Sequence, residues 1–410
     1  MGQGEAEATM TASVNQQSVA KEDSFDTPAV ATISAAHLIH DLYPAILAPI
    51  LPLLIAKLGI SLAAAGALVT ILRAGSLLQP FLGLLADKAD CRWFVILSPS
   101  VTALGMSLLG IAPDYWSTAL LLCVAALGTA GFHPAAAAAV TRASGRSWGK
   151  GSSWYMTGGE LARAIGPVYI VTLVGWVGLE GSFIGALPGV ACSVLLWWQL
   201  RRRQISMAGS STVSDIWRTM KEQRRALLLL SGLVLFRSIS ITSFATFYPT
   251  FLVDLGSTLL FAGLAVAVFE LAGAGGALVG GTLSDRFGRR SMMLISQVAT
   301  GPLLFAAMYW REDTLGLVML ALAGAMALSA APVQLTMAME LLPGGRSTAS
   351  GITFFLGFEG TLVATLVVGA VADLIGLGPA LGFSVLASML SIPFTLALPE
   401  TQGARAGSGH

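Results

Sequence analysis

Six ionisable residues, Arg73, Glu160, Arg163, Arg237, Glu270 and Glu359, lie inside long apolar stretches of this 410-residue chain. A charge at the centre of a bilayer costs roughly 2.5–3.5 kcal/mol even on the lenient insertion scale, so such groups face a cavity or a partner. Static salt bridges between helices would account for any one of them. Two further chemistries are open to the set. A carboxylate inside a membrane can load a proton near neutrality and release it beside an arginine, which makes Asp41, Glu160, Glu270 and Glu359 candidates for proton coupling. The arginines can instead hold an anionic substrate, with Arg163 and Arg237 the most central and Arg73 the third.

His37, His40 and Asp41 fall at i, i+3 and i+4, on one face of a helix. His40 and His133 are candidate protonatable gates or hydrogen-bond partners for a substrate, and a packed neutral histidine explains each alone equally well. The His37 and His40 pair has no third ligand in view beyond Asp41, so no metal site is expected. No catalytic constellation and no phosphate-cradling glycine loop is present. The chain therefore reads as no enzyme, without cofactor and not driven by ATP.

These residues need elements to hold them. The sequence is 55% hydrophobic and only 11% charged, with a mean hydropathy of +0.76, against roughly 25% charged residues in soluble domains. Only helices or closed barrels satisfy backbone polar groups in lipid, and the apolar runs are too long and continuous for barrel strands. The expected fold is all-α with twelve transmembrane helices, at 33–57, 62–86, 93–112, 117–141, 150–176, 180–200, 226–252, 258–284, 290–309, 314–340, 347–374 and 378–398. Residues 1–32 read as a disordered tail, 33–200 as a first six-helix half, 201–225 as a basic linker, 226–398 as a second half and 399–410 as a second tail. Most of the 23 Lys and Arg then fall on the side of the termini, with Lys57 and Arg311 opposite, which places both termini in the cytoplasm. The basic residues are thus topological and imply no nucleic-acid partner. The expected partners are a small molecule, protons and lipid, around a monomer.

The halves repeat. Leu51-Pro52 through Leu58-Gly59 aligns with Tyr248-Pro249 through Leu255-Gly256, and Gly83 to Lys88 with Gly281 to Arg286. In the same register His40 aligns with Arg237, so related positions of one interior carry different charges. Two parallel repeats around a central site are the organisation of a rocking transporter.

Gly281, Leu283, Asp285, Arg286, Gly288, Arg289 and Arg290 resemble the cytoplasmic loop signature of the major facilitator superfamily. Within it the chain resembles the fosmidomycin-resistance type of efflux protein, through His37 to Asp41, Phe132-His133-Pro134, Gly158-Gly159, Gly166-Pro167, Glu340 to Gly344 and Val371-Ala372-Asp373. The resemblance implies a latch against helix N-termini, with Asp87 and Arg142 serving one half and Asp285, Arg286 and Arg289 the other. It also implies efflux of a small toxic compound across the bacterial inner membrane by proton antiport. Uptake of a small organic anion by symport or facilitation is the main alternative, and a receptor that transports nothing is a third. The chain departs from the family pattern at Glu160, Arg163 and Glu359, and at Ala135, where the family tends to carry an acid.

Overall fold

A computed structural model describes residues 25–79, 81–82, 92–144, 148–201, 218, 221–311, 313–341 and 346–400. The first crossing, α1 (Thr27–Leu58), starts where the Asp26 carboxylate accepts from the Ala29 N–H at 3.0 Å and Pro28 occupies the first turn. It breaks at Ile46, just past Pro44, whose ring and missing N–H disrupt the helical ladder. The helix thus begins inside the stretch expected to be a disordered tail. A cap, a helix-starting proline and an apolar face override the polar residues that precede them.

The other crossings follow the expected order: α2 (Leu62–Leu78), α3 (Arg92–Ile111), α4 (Tyr115–Ala143), α5 (Trp148–Gly181), α6 (Leu187–Leu200), α7 (Arg224–Asp254), α8 (Leu259–Phe287), α9 (Arg289–Tyr309), α10 (Thr314–Leu341), α11 (Arg346–Ile375) and α12 (Leu377–Ala397). The helical path from α5 to α6 is broken at Gly178, whose φ of 74° only glycine adopts readily, and then passes through a short 3-10 turn at Ser182–Ala186. Each of the twelve expected segments thus coincides with a helix among the described residues.

The duplication is visible in the backbone. Ser61 caps α2 by accepting from Ala64 N–H, and Thr258 caps α8 by accepting from Phe261 N–H, both at 3.2 Å. Left-handed glycines close α1 and α7 (Gly59 and Gly256) and turn the chain before the sixth and twelfth crossings (Gly178 and Gly376). Packing repeats as well. α1 lies on α5 as α7 lies on α11, and α3 lies on α4 and α6 as α9 lies on α10 and α12. Between halves, α2 packs on α11 and α5 on α8. One large apolar cluster runs through both halves, from Tyr43 and Leu54 to Phe247 and Leu381.

Candidate transport site

α1 puts His37, His40 and Asp41 on its inner face, and the helices around it complete a polar cluster in the first half. His37 Nδ1 donates to the Tyr155 carbonyl of α5 at 2.7 Å, and its ring stacks on the Tyr155 ring with centroids 3.9 Å apart. Its Nε2 stands 3.1 Å from Asp41 Oδ2. His40 is fully enclosed. Its Nδ1 donates to Asp41 Oδ1 at 2.8 Å, its Nε2 accepts from Thr102 of α3 at 3.1 Å, and its face stacks on Phe132. Both ring nitrogens of His40 have protein partners in this conformation. His133 on α4 stays partly open, with Nε2 3.5 Å from Asp41 Oδ1 and Nδ1 3.5 Å from the Tyr155 hydroxyl.

Gly158 and Gly159 make this approach possible. A Cβ on Gly158 would stand 2.4 Å from the Ser34 carbonyl oxygen, and one on Gly159 2.7 Å from the His37 ring. Any larger residue would push α5 off α1.

A second group of charges joins the halves. Arg163 on α5 bonds Glu160 one turn earlier on its own helix, and its Nε donates to Glu270 of α8 at 3.1 Å. Arg73 on α2 is solvent-accessible and lies within electrostatic range of Arg163, Asp41 and Glu270. Arg237 on α7 donates to Gln334 Oε1 at 3.3 Å and to the Ala327 carbonyl, both on α10. The expected pairing of acids with bases thus holds at Arg163, while Arg237 meets neutral acceptors. Glu359 falls on α11 with its side chain outside the described residues.

At the face opposite the termini the halves are tied together. Asp373 of α11 accepts from the first backbone N–H groups of α2, Leu62 at 2.8 Å and Ala63 at 3.0 Å, where a helix N-terminus favours an anion. Thr70 and Thr365 bond at 2.7 Å nearby. Of the expected latch, Asp87 and the Asp285 side chain lie outside the described residues. Arg142 and Arg286 are exposed near the termini side. Arg289 is buried against Ser284, and Glu400 accepts from the N–H groups of Arg289 and Arg290 at 2.9 and 3.1 Å, capping α9.

Sequence reasoning missed Tyr155, Thr102 and Glu400, and named Asp373 only within the Val371-Ala372-Asp373 resemblance, with no role attached. Nothing near Asp373 in the sequence says that it caps a helix of the other half. Tyr155 and Thr102 have no charge to draw notice and act through contacts distant in the chain.

Known proteins share this architecture. The sequence model described as Major Facilitator Superfamily matches residues 33–356 and 228–409. A protein of Escherichia coli (strain K12) named "Fosmidomycin resistance protein" is 26% identical over 357 residues, covering 83% of this chain and 85% of that one. An uncharacterized MFS-type transporter of Bacillus subtilis (strain 168), YfnC, is 26% identical over 384 residues, covering 90% and 92%. Among solved structures, a bacterial homologue of the human lysosomal transporter Spinster, inward-facing and occupied, superimposes with a TM-score of 0.77 at 15% identity, covering 90% of this chain and 95% of that one. The nucleoside transporter NupG follows the same fold with a TM-score of 0.73 at 17% identity, over 91% and 99%. The chain is a transporter, not an enzyme, and it belongs to the Major Facilitator Superfamily.

Proposed function

We propose that this protein is a proton-coupled exporter of a small toxic compound, with small anions such as phosphonates as the first class to try. It works in a bacterial inner membrane as a monomer with both termini cytoplasmic. The observation that carries the coupling is the Glu160–Arg163–Glu270 group, because it spans the two halves that must rock against each other. With both glutamates ionised, Arg163 is neutralised and clamps α5 to α8. Protonation of Glu270 removes the cross-half partner and loosens the clamp, which couples proton loading to rocking.

Arg73 and Arg237 have no carboxylate within ion-pair distance among the described residues, which suits them to hold an anion while Arg163 stays occupied. With cytoplasmic termini, the face tied by Asp373 is the outer one, so the described conformation is closed to the outside. The export direction rests on the name of the Escherichia coli relative.

The test uses proteoliposomes with an imposed pH gradient and an internal pH dye. Proton movement opposite to a phosphonate establishes antiport, and Glu270→Gln lowers proton-driven flux at least tenfold while sparing substrate exchange. Proton movement with the substrate, or flux without protons, replaces export with uptake or facilitation. Unchanged coupling in Glu160→Gln, Glu270→Gln and Glu359→Gln alike overturns the proposed device.

A further inference from the structure

The Tyr155 carbonyl oxygen can only accept, so the His37 nitrogen 2.7 Å from it, Nδ1, carries the proton. In neutral His37 the Nε2 lone pair then points at a carboxylate oxygen of Asp41 3.1 Å away. Two lone pairs at that distance repel, and a cation between them reverses the sign. Metal-binding histidines are held in this way, with one ring nitrogen donating to a carbonyl and the other left for the ion. A proton would satisfy His37 and Asp41 alone. His133 adds a third donor, with Nε2 3.5 Å from the other oxygen of the same carboxylate.

We propose that His37 Nε2, His133 Nε2 and the Asp41 carboxylate form a binding site for a first-row divalent transition-metal ion of the zinc class. The three donor atoms lie within 4.8 Å of one another. His37 Nε2 stands 3.1 Å from Oδ2 of Asp41 and His133 Nε2 3.5 Å from Oδ1, so the two imidazoles face opposite oxygens of one carboxylate and an ion between the rings meets all three residues. His40 and Thr102 fix the carboxylate from behind, through the bonds His40 Nδ1 to Asp41 and Thr102 to His40 Nε2. Asp41 and His133 keep 17% and 27% of their side chains accessible, which leaves a fourth position for water or an anion. Gly159 keeps the ligand side clear, since a Cβ there would stand 3.0 Å from His37 Nε2 and 3.3 Å from Asp41 Oδ2. Two imidazoles and one carboxylate suit zinc, cobalt or nickel and disfavour magnesium and calcium, which prefer all-oxygen shells.

The site does not depend on the coupling proposed above, and its test needs no transport. Tag-free full-length protein in detergent is titrated with Co2+ and followed by visible ligand-field absorption, then with Zn2+ as competitor. One equivalent of Co2+ should give a saturable band that Zn2+ abolishes. His37→Gln and His133→Gln should each weaken Co2+ binding at least tenfold. Gly159→Ala should weaken it with all three ligands present, and a Cys123→Ser, Cys192→Ser double variant should keep it. Monodispersity and helical circular dichroism confirm that each variant is folded; His133→Asn substitutes for His133→Gln if needed. No band in the unmodified protein, or unchanged affinity in folded His37 and His133 variants, overturns the site.

Discussion

In the first half, Gly75 of α2 faces the Ala126 carbonyl of α4, where a Cβ would stand 2.3 Å from the oxygen; in the second, Gly276 of α8 faces the Ala325 carbonyl of α10 at 2.0 Å. Between the halves, Gly66 of α2 meets the Thr365 carbonyl of α11 at 2.1 Å, and Gly263 of α8 meets Val171 at 2.8 Å and the Pro167 carbonyl of α5 at 3.3 Å. The backbone solution recurs at matched places. The interior chemistry does not. His40, stacked and bonded to an acid and a threonine, corresponds to Arg237, which meets an amide and a carbonyl. Close helix approach through small residues is what a membrane bundle requires for stability, so both copies retain it. The interior is free to diverge, because a single passage for substrate needs different groups from its two walls.

The sharpest way to break this comparison is to add one methyl group to each of the paired glycines. Gly75→Ala and Gly276→Ala both force a Cβ into a backbone carbonyl that cannot swing away. Each should cost about 1–3 kcal/mol of overpacking, seen as a lower midpoint of thermal unfolding in detergent. Gly275→Ala, one residue along in α8 with nothing within 4 Å of its Cβ, should leave the midpoint unchanged. If only one of Gly75 and Gly276 matters, the halves do not share their packing energetics.

A smaller effect tests the place where the two inter-half contacts differ. Asp373 holds two backbone N–H groups of α2, but the matching position on α5 is Gly175, which has open space around it. Asp373→Ala removes an acceptor of the N-cap kind, worth about 1 kcal/mol. That is enough to shift the balance between closed and open outer faces about fivefold. Spin labels at the exposed positions Ala56 and Leu255 would report the shift as a longer distance population. An unchanged distribution would mean that Gly66 and Thr365 alone hold that face.

The fold was legible because lipid leaves few options: apolar runs of crossing length, a repeat and a loop signature give twelve helices in two halves. The Ser61 and Thr258 caps and the glycine turns are local signals, readable within a few residues. The interior was legible only in part. Arg163 and Glu270 stood out as buried charges, yet nothing in the sequence said that they meet across the halves, since 107 positions separate them. That His133 would meet His37 and Asp41 was hidden likewise. His133 is on another helix, and the Tyr155 carbonyl that sets the tautomer is a backbone atom that any residue supplies.

The smallest expected effect concerns two loops at the start of α4 and α10. Asp114 accepts from the Ser117 N–H at 2.8 Å, and the Ser117 hydroxyl accepts from the Asp114 N–H at 3.2 Å, a reciprocal capping box. At the matched position Asp313 is followed by Gly316, which has no hydroxyl to return and no room for one, because a Cβ there would stand 2.1 Å from the Trp310 carbonyl. The Ser117 backbone N–H, followed by its hydroxyl, holds the Asp114 carboxyl below the ordinary range for an aspartate. A carboxyl held low in the folded state adds stability that is present above its unfolded value, about 3.9, and is lost as pH falls through the folded value. Asp114 is fully exposed, so solvent screens the contribution and keeps it small. Asp114→Asn should therefore lower the unfolding midpoint slightly at neutral pH, and the difference from the unmodified protein should vanish on acidification below pH ~3.9. Asp313→Asn should produce a smaller change, because the Gly316 N–H there goes to the Asp313 backbone carbonyl and not to its side chain. Equal pH profiles for the two variants would show that the returning serine hydroxyl contributes nothing, and that the two loops differ in sequence without differing in energy.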